Sequence, residues 1–186
     1  MSKPRLLLHS CCGPCSSAVL ERLYEDYEIT LFYYNPNIYP KDEYDHRVET
    51  QRKIINSLPF GNEITMVLGE YDPDSFDKAA KGYENCPEGG DRCRICFEIR
   101  LSRAAKYAAC NGFDIFTTTL SISPHKNALV LNEIGERLSK EYGITWLHSD
   151  FKKQDGYLRS IQLSKEYDLY RQDYCGCKYS MRGREN

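Results

Sequence analysis

The chain has 186 residues, 41% of them apolar, and a net charge of −2. That is enough apolar material for one packed core, and it excludes a disordered chain. No apolar run approaches the ~18 residues that cross a bilayer, and Leu6-Leu7-Leu8 is too short for a secretory signal, so a soluble, cytoplasmic protein without membrane contact is expected.

In chain order, Leu6-Leu7-Leu8 is stopped by His9-Ser10 and a Gly-Pro turn, and reads as a buried strand. Ser16 and Ser17 offer an N-cap for a helix reaching about Glu25. Ile29 to Tyr34 is β-branched and aromatic, which predicts a second strand ended by Asn35-Pro36-Asn37. A helix over 42–58, a third strand over 64–68 and a short helix over 75–81 follow. The stretch from Glu84 to Gly90 is too rich in Gly and Pro for regular structure. The clearest helix covers 92–111 and is closed by Gly112. A fourth strand (115–120), a helix stopped by Gly143 (125–141), a fifth strand (144–147) and a last helix (157–167) complete the pattern.

Strands alternating with helices predict βαβ units. The expectation is one α/β domain over 1–186, with a mostly parallel, five-stranded, Rossmann-like sheet and a C-terminal helical segment. Ligands of such sheets lie beyond the carboxyl ends of the strands. The loops leaving those ends, 10–15, 35–40, 121–126 and 148–153, hold three cysteines and two of the four histidines. That predicts one site on one rim.

Nine cysteines are roughly 5% of the chain, below a disulfide scaffold, and an odd count cannot pair completely. In a reducing compartment they point to metal or catalysis. Cys93-Arg94-Ile95-Cys96 opens the long helix, so both sulfurs share one face beside a helix N-terminus that favours thiolates. Cys11-Cys12 occupies the first βα loop. Two pairs from two loops supply four thiolates, a set that suits a [4Fe–4S] cluster or zinc. Cys12-Gly13-Pro14-Cys15 also spells the thioredoxin-type motif, but only about ten residues precede it, whereas a thioredoxin-like domain places an earlier strand and helix there. Cys175-Gly176-Cys177 is a candidate redox dithiol, because a bridge closing so small a ring is strained and cycles readily; metal ligation is the alternative. Cys110, near the end of a helix, reads as a small buried thiol.

Residues 1–150 carry 17 Lys/Arg against 22 Asp/Glu, whereas 151–186 carry 8 against 5. The basic, Tyr-rich segment 155–186 interleaves Tyr170, Arg171, Tyr174, Lys178, Tyr179 and Arg182, a pattern that suits unpaired bases and phosphates. Three readings arise from the residues: an iron–sulfur reductase, a thiol–disulfide oxidoreductase using Cys12 and Cys15, and a zinc-stabilised RNA-binding module.

Several blocks occur in order: His9-Ser10-Cys11-Cys12-Gly13-Pro14-Cys15, Tyr34-Asn35-Pro36-Asn37-Ile38, Arg92-Cys93-Arg94-Ile95-Cys96-Phe97, Ser123-Pro124-His125-Lys126, Asp150-Phe151-Lys152-Lys153, and Tyr170-Arg171-Gln172 through Cys177. Together they resemble the cobalamin-independent epoxyqueuosine reductases, the QueH family, over nearly the whole chain. The resemblance implies a nucleotide α-hydrolase (HUP-like) fold whose first loop carries cysteines in place of a phosphate cradle. It implies removal of the epoxide oxygen of epoxyqueuosine at the wobble position of tRNA, the last step of queuosine synthesis. It also implies a [4Fe–4S] cluster on Cys11, Cys12, Cys93 and Cys96, an additional adjacent iron near Cys15, and no cobalamin. Cys175 and Cys177 would be the redox-active disulfide pair, recharged by an electron donor. Asp150, at the end of the fifth strand, would donate a proton or ligate iron, or else serve as a plain helix N-cap, and Lys126, Lys152, Lys153, Arg171 and Arg182 would meet tRNA. Cys86 falls outside these blocks.

Overall fold

The computed structural model describes residues 2–181. The C-terminal contact expected of Arg182 falls outside the described residues. Strand β1 (Arg5–His9) is the centre of the sheet, and its three leucines are fully buried. A strand covered on both faces needs apolar residues without alternation, which is why this run is continuous. Successive side chains still point to opposite faces: Leu6 and Leu8 join one core, while Leu7 joins the other. In β2 (Glu28–Tyr33), Ile29, Leu31 and Tyr33 face the first core and Phe32 the second.

With β3 (Thr65–Leu68), β4 (Ile115–Thr118) and β5 (Thr145–Trp146), the sheet order is β3-β2-β1-β4-β5, every pair parallel. The expectation of a mostly parallel sheet thus becomes a wholly parallel one. Register is fixed by pairs such as Leu7 with Thr30 on one side and with Phe116 on the other. Among the described residues there are seven α-helices: α1 (Gly13–Leu23), α2 (Lys41–Ser57), α3 (Pro73–Ala79), α4 (Asp91–Cys110), α5 (Ala128–Tyr142), α6 (Gly156–Glu166) and α7 (Lys178–Met181). Helix α1 packs on α2 and α6, and α4 packs on α5. None is long and apolar enough to cross a membrane.

Four local expectations need correction. Helix α1 starts before Ser16: its N-cap is Cys12, whose Sγ accepts the Cys15 amide at 3.4 Å, with Pro14 preset for the first turn. Ser16 and Ser17 instead bond back to the carbonyls of Gly13 and Pro14. Strand β4 stops at Thr118, whose hydroxyl takes the Leu120 amide and tips 119–122 into a 3₁₀ turn. Helix α5 begins at Ala128, capped by the Asn127 side chain at 2.9 Å. Cys110 is exposed, on the solvent face of the last turn of α4. Gly112 and Gly143 end their helices at φ of 68° and 67°, as the sequence predicts.

Candidate metal and redox centre

The strand order reverses between β1 and β4, so the loops beyond these two strands diverge and leave a crevice. His9, the last residue of β1, is wholly buried across that gap. Its Nε2 donates to the Tyr34 carbonyl at 3.0 Å, so Nδ1 accepts from the Thr118 hydroxyl at 2.9 Å. Burial, aided by the nearby Arg100 cation, pushes its pKa down to about 3 and keeps the ring neutral. His9 is a clamp that joins three strand ends.

Beyond it, the Sγ atoms of Cys11, Cys12 and Cys15 lie within 4.8 Å of one another. Cys11 and Cys12 are 3.8 Å apart. The Cys11 thiol falls well below its ordinary range because Cys12 and Cys15 donate to its sulfur, with Lys126 and Arg100 assisting. For the same reason Cys12 rises to about 11, and Cys15 also rises. Of the trio, Cys11 is therefore the first to lose its proton, and a bound metal would displace the others.

Helix α4 brings the second pair. Cys93 sits in its first turn and takes the Gly89 amide at 3.2 Å, and it packs against the core that includes Cys11 and Cys12. Cys96 is buried in a small cluster with Phe76, Ala80 and Cys177. Burial raises Cys93 and lifts Cys96 to about 12. The shared cluster of Cys96 and Cys177 brings the C-terminal pair next to the CxxC. All nine cysteines are free thiols.

The Cys175-Gly176-Cys177 loop is held from beneath. Arg47, on α2 and 1% exposed, donates to the carbonyls of Tyr174 and Cys175, each at 3.2 Å, and pairs with Glu43 at 2.6 Å. Glu43 in turn accepts from the Tyr170 hydroxyl. Gly176 lies at φ +116°, and a Cβ there would come within 2.9 Å of Arg47. Its carbonyl accepts the Tyr39 amide at 2.8 Å.

A cleft of about 450 Å³ opens above these groups, lined by Cys11, Cys15, Arg100, Lys126, Gln172 and Cys175 among others. A wider cleft of about 790 Å³ adjoins it through Pro124, His125 and Lys126, and carries Arg22, Lys152 and Lys153. Asp150 lines this second cleft, away from the thiols, and pairs with Lys152 at 2.7 Å and Lys153 at 3.8 Å. Arg171 lines the thiol cleft and donates to Ser164 at 3.1 Å. Lys126 is half-buried where the clefts meet. Burial alone would lower its pKa, but Cys175, Cys11 and Cys15 outweigh this and raise it.

The donor set suits an iron–sulfur group: soft thiol ligands from two loops, backed by the buried cation of Arg100. A thioredoxin-like role needs an accessible sulfur, and Cys12 is 1% exposed. Sequence reasoning missed Arg47, Arg100 and Arg92. Their arginine–aliphatic spacing along the helices resembles that of any solvated face.

The family model described as epoxyqueuosine reductase QueH matches residues 6–183. The chain belongs to the QueH family. It is 43% identical over 180 residues to the epoxyqueuosine reductase QueH of Streptococcus pyogenes serotype M1, covering 96% of this chain and 71% of that one. It is 41% identical over 195 residues to the QueH of Acinetobacter baylyi, covering 98% and 88%. With the QueH of Thermotoga maritima the identity is 35%, over 95% and 90%. Three of the blocks that carry the family resemblance, 9–15, 123–126 and 170–177, contribute residues to the lining of the thiol cleft, and 150–153 contributes to the wider one.

Proposed function

We propose that this QueH family member is an epoxyqueuosine reductase that acts on tRNA in queuosine biosynthesis, using an iron–sulfur cluster and a cysteine pair. In this reading Cys11, Cys12, Cys93 and Cys96 hold a [4Fe–4S] cluster, and Cys15 stands beside an additional iron. The observation that carries the reading is a cleft lined by Cys11, Cys15 and Cys175, with Cys96 packed in one buried cluster with Cys177, and a second, basic cleft adjoining it.

The net reaction converts an epoxide to an alkene and water, consuming two electrons and two protons. The Sγ–H groups of Cys175 and Cys177 supply both pairs and end as a disulfide, which an electron donor then reduces. When bound, the cluster and its adjacent iron supply one-electron transfer and Lewis acidity toward the epoxide oxygen. Cys175 faces the cleft and Cys177 lies behind it, while Arg47 fixes the backbone between them. Lys152 and Lys153 meet phosphates of the anticodon loop, with Asp150 orienting Lys152. Lys126, at the junction, receives the phosphate of the nucleotide whose base turns into the thiol cleft. Arg171 lines that cleft from the C-terminal side.

Anaerobic purification followed by iron and sulfide analysis, with conversion of epoxyqueuosine-containing tRNA, tests the reading. Brown protein holding iron and sulfide and forming queuosine is expected. Colourless protein that holds one zinc and leaves the tRNA unchanged overturns it.

A further inference from the structure

We propose that Arg100 is the fixed counter-charge of the thiolate site and sets the reduction potential of the cluster bound there. The inference rests on the iron–sulfur reading above and deepens it.

Three arginines are buried at this end of the fold, and their partners differ. Arg47 has the Glu43 carboxylate. Arg92 gathers the carbonyls of Tyr83, Glu84 and Cys86. Arg100 is 2% exposed, and among the described residues it has no carboxylate within ion-pair distance. Its Nη2 donates to Asn35 Oδ1 at 2.7 Å, its Nη1 reaches Cys96 Sγ at 3.8 Å, and its Nε is buried without a partner. A buried cation without an anion is strongly unfavourable. The groups around it that can become anionic are the thiols: Cys96 in direct contact, and Cys11 and Cys175 along the same cleft.

Position and orientation are both fixed. Arg100 follows Cys96 by four residues on α4, so the guanidinium and the sulfur share one helix face. Asn35 is anchored by its own bond to the Ser10 carbonyl at 2.9 Å, immediately before Cys11. One cation thus touches Cys96 directly and is linked through Asn35 to the loop of Cys11 and Cys12, and it also lines the cleft. Each electron added to a thiolate-bound cluster adds negative charge, which a fixed cation at this distance stabilises. Arg100 is therefore a positioning and tuning residue, and it raises the potential.

Reductive titration of reconstituted wild type, Arg100→Lys and Arg100→Gln, followed by visible absorption and electron paramagnetic resonance, tests this. The midpoint of the Gln variant should fall below wild type, and that of the Lys variant should fall less. An unmoved midpoint in Arg100→Gln overturns the proposal, as does a Lys variant as low as the Gln variant. Melting of metal-free and loaded proteins separates charge from packing. Arg100→Gln should lower the melting temperature of the loaded protein more than that of the metal-free one. Equal losses, or a Gln variant unfolded even without metal, overturn the proposal. A Gln variant that folds metal-free but no longer loads, beside a Lys variant that does, supports it. Wild type that takes up no iron refutes the underlying cluster reading, whereas loaded wild type with insensitive potentials refutes the role of Arg100 alone.

Discussion

The two adjoining clefts are built on opposite principles. Two of the cations that line the thiol cleft are buried and fixed: Arg47 and Arg100 are 1% and 2% exposed, and each is tied to named acceptors on other elements. In the wider cleft the cations are at the surface; the Lys153 side chain is 77% exposed and paired only loosely with Asp150. Fixed charges in a low-dielectric setting act strongly on a ligand that stays in place, such as a metal group. Solvated lysines contribute little to folding and suit a polyanion that arrives and leaves. One cleft is a socket and the other a landing strip.

The largest effect expected is at the dithiol. Cys175→Ser should abolish turnover on epoxyqueuosine tRNA while colour and iron content persist, whereas Cys96→Ser should lose iron as well. Equal iron loss in both would erase the distinction drawn between ligand and electron carrier. Next comes Arg47→Leu, which strands the largely covered Glu43 carboxylate and frees the carbonyls of Tyr174 and Cys175. Breaking a buried pair from one side costs about 3–5 kcal/mol, measurable by chemical denaturation. A loss below about 1 kcal/mol would mean that the socket is no more rigid than the surface.

In the other cleft, Lys152→Gln with Lys153→Gln should weaken tRNA binding at every sequence and reduce the salt slope of log K by about 1 for each phosphate that is no longer neutralised. Iron content should not change; if it falls, the two clefts are not separable. The smallest effect belongs to Asp150→Asn. Releasing Lys152 and Lys153 from their pair should change KM for tRNA severalfold and leave kcat within about twofold, because median surface pairs are worth only ~0–1 kcal/mol. A collapse of kcat with full iron loading would instead make Asp150 the proton donor.

Much of the frame is legible from local pattern. The leucine run of β1, the β-branched run of β2 and the glycine stops after α4 and α5 each express a rule that acts within a few residues. The cysteine groups are legible as groups because spacing alone brings Cys93 and Cys96 onto one face. What escapes is whatever depends on which loop faces which. Arg100 and Asn35 are 65 positions apart, and only the β3-β2-β1-β4-β5 order brings them together. Asp150 follows β5, at the sheet edge, and that location turns it toward the lysines instead of the sulfurs. Cys12 as a helix cap is missed for a chemical reason: hydroxyls and carboxylates are the usual caps, and Ser16 lies close by as a decoy.

Gly176 has a consequence for who moves during the reaction. With its carbonyl on Tyr39, the flanking carbonyls on Arg47 and no room for a side chain, the short run that carries both thiols has little latitude to swing. A reagent mounted this firmly does not go out to meet its target. In the proposed reaction the modified base would therefore be carried inward to the site, so the moving partner would be the nucleic acid and the fixed one the protein.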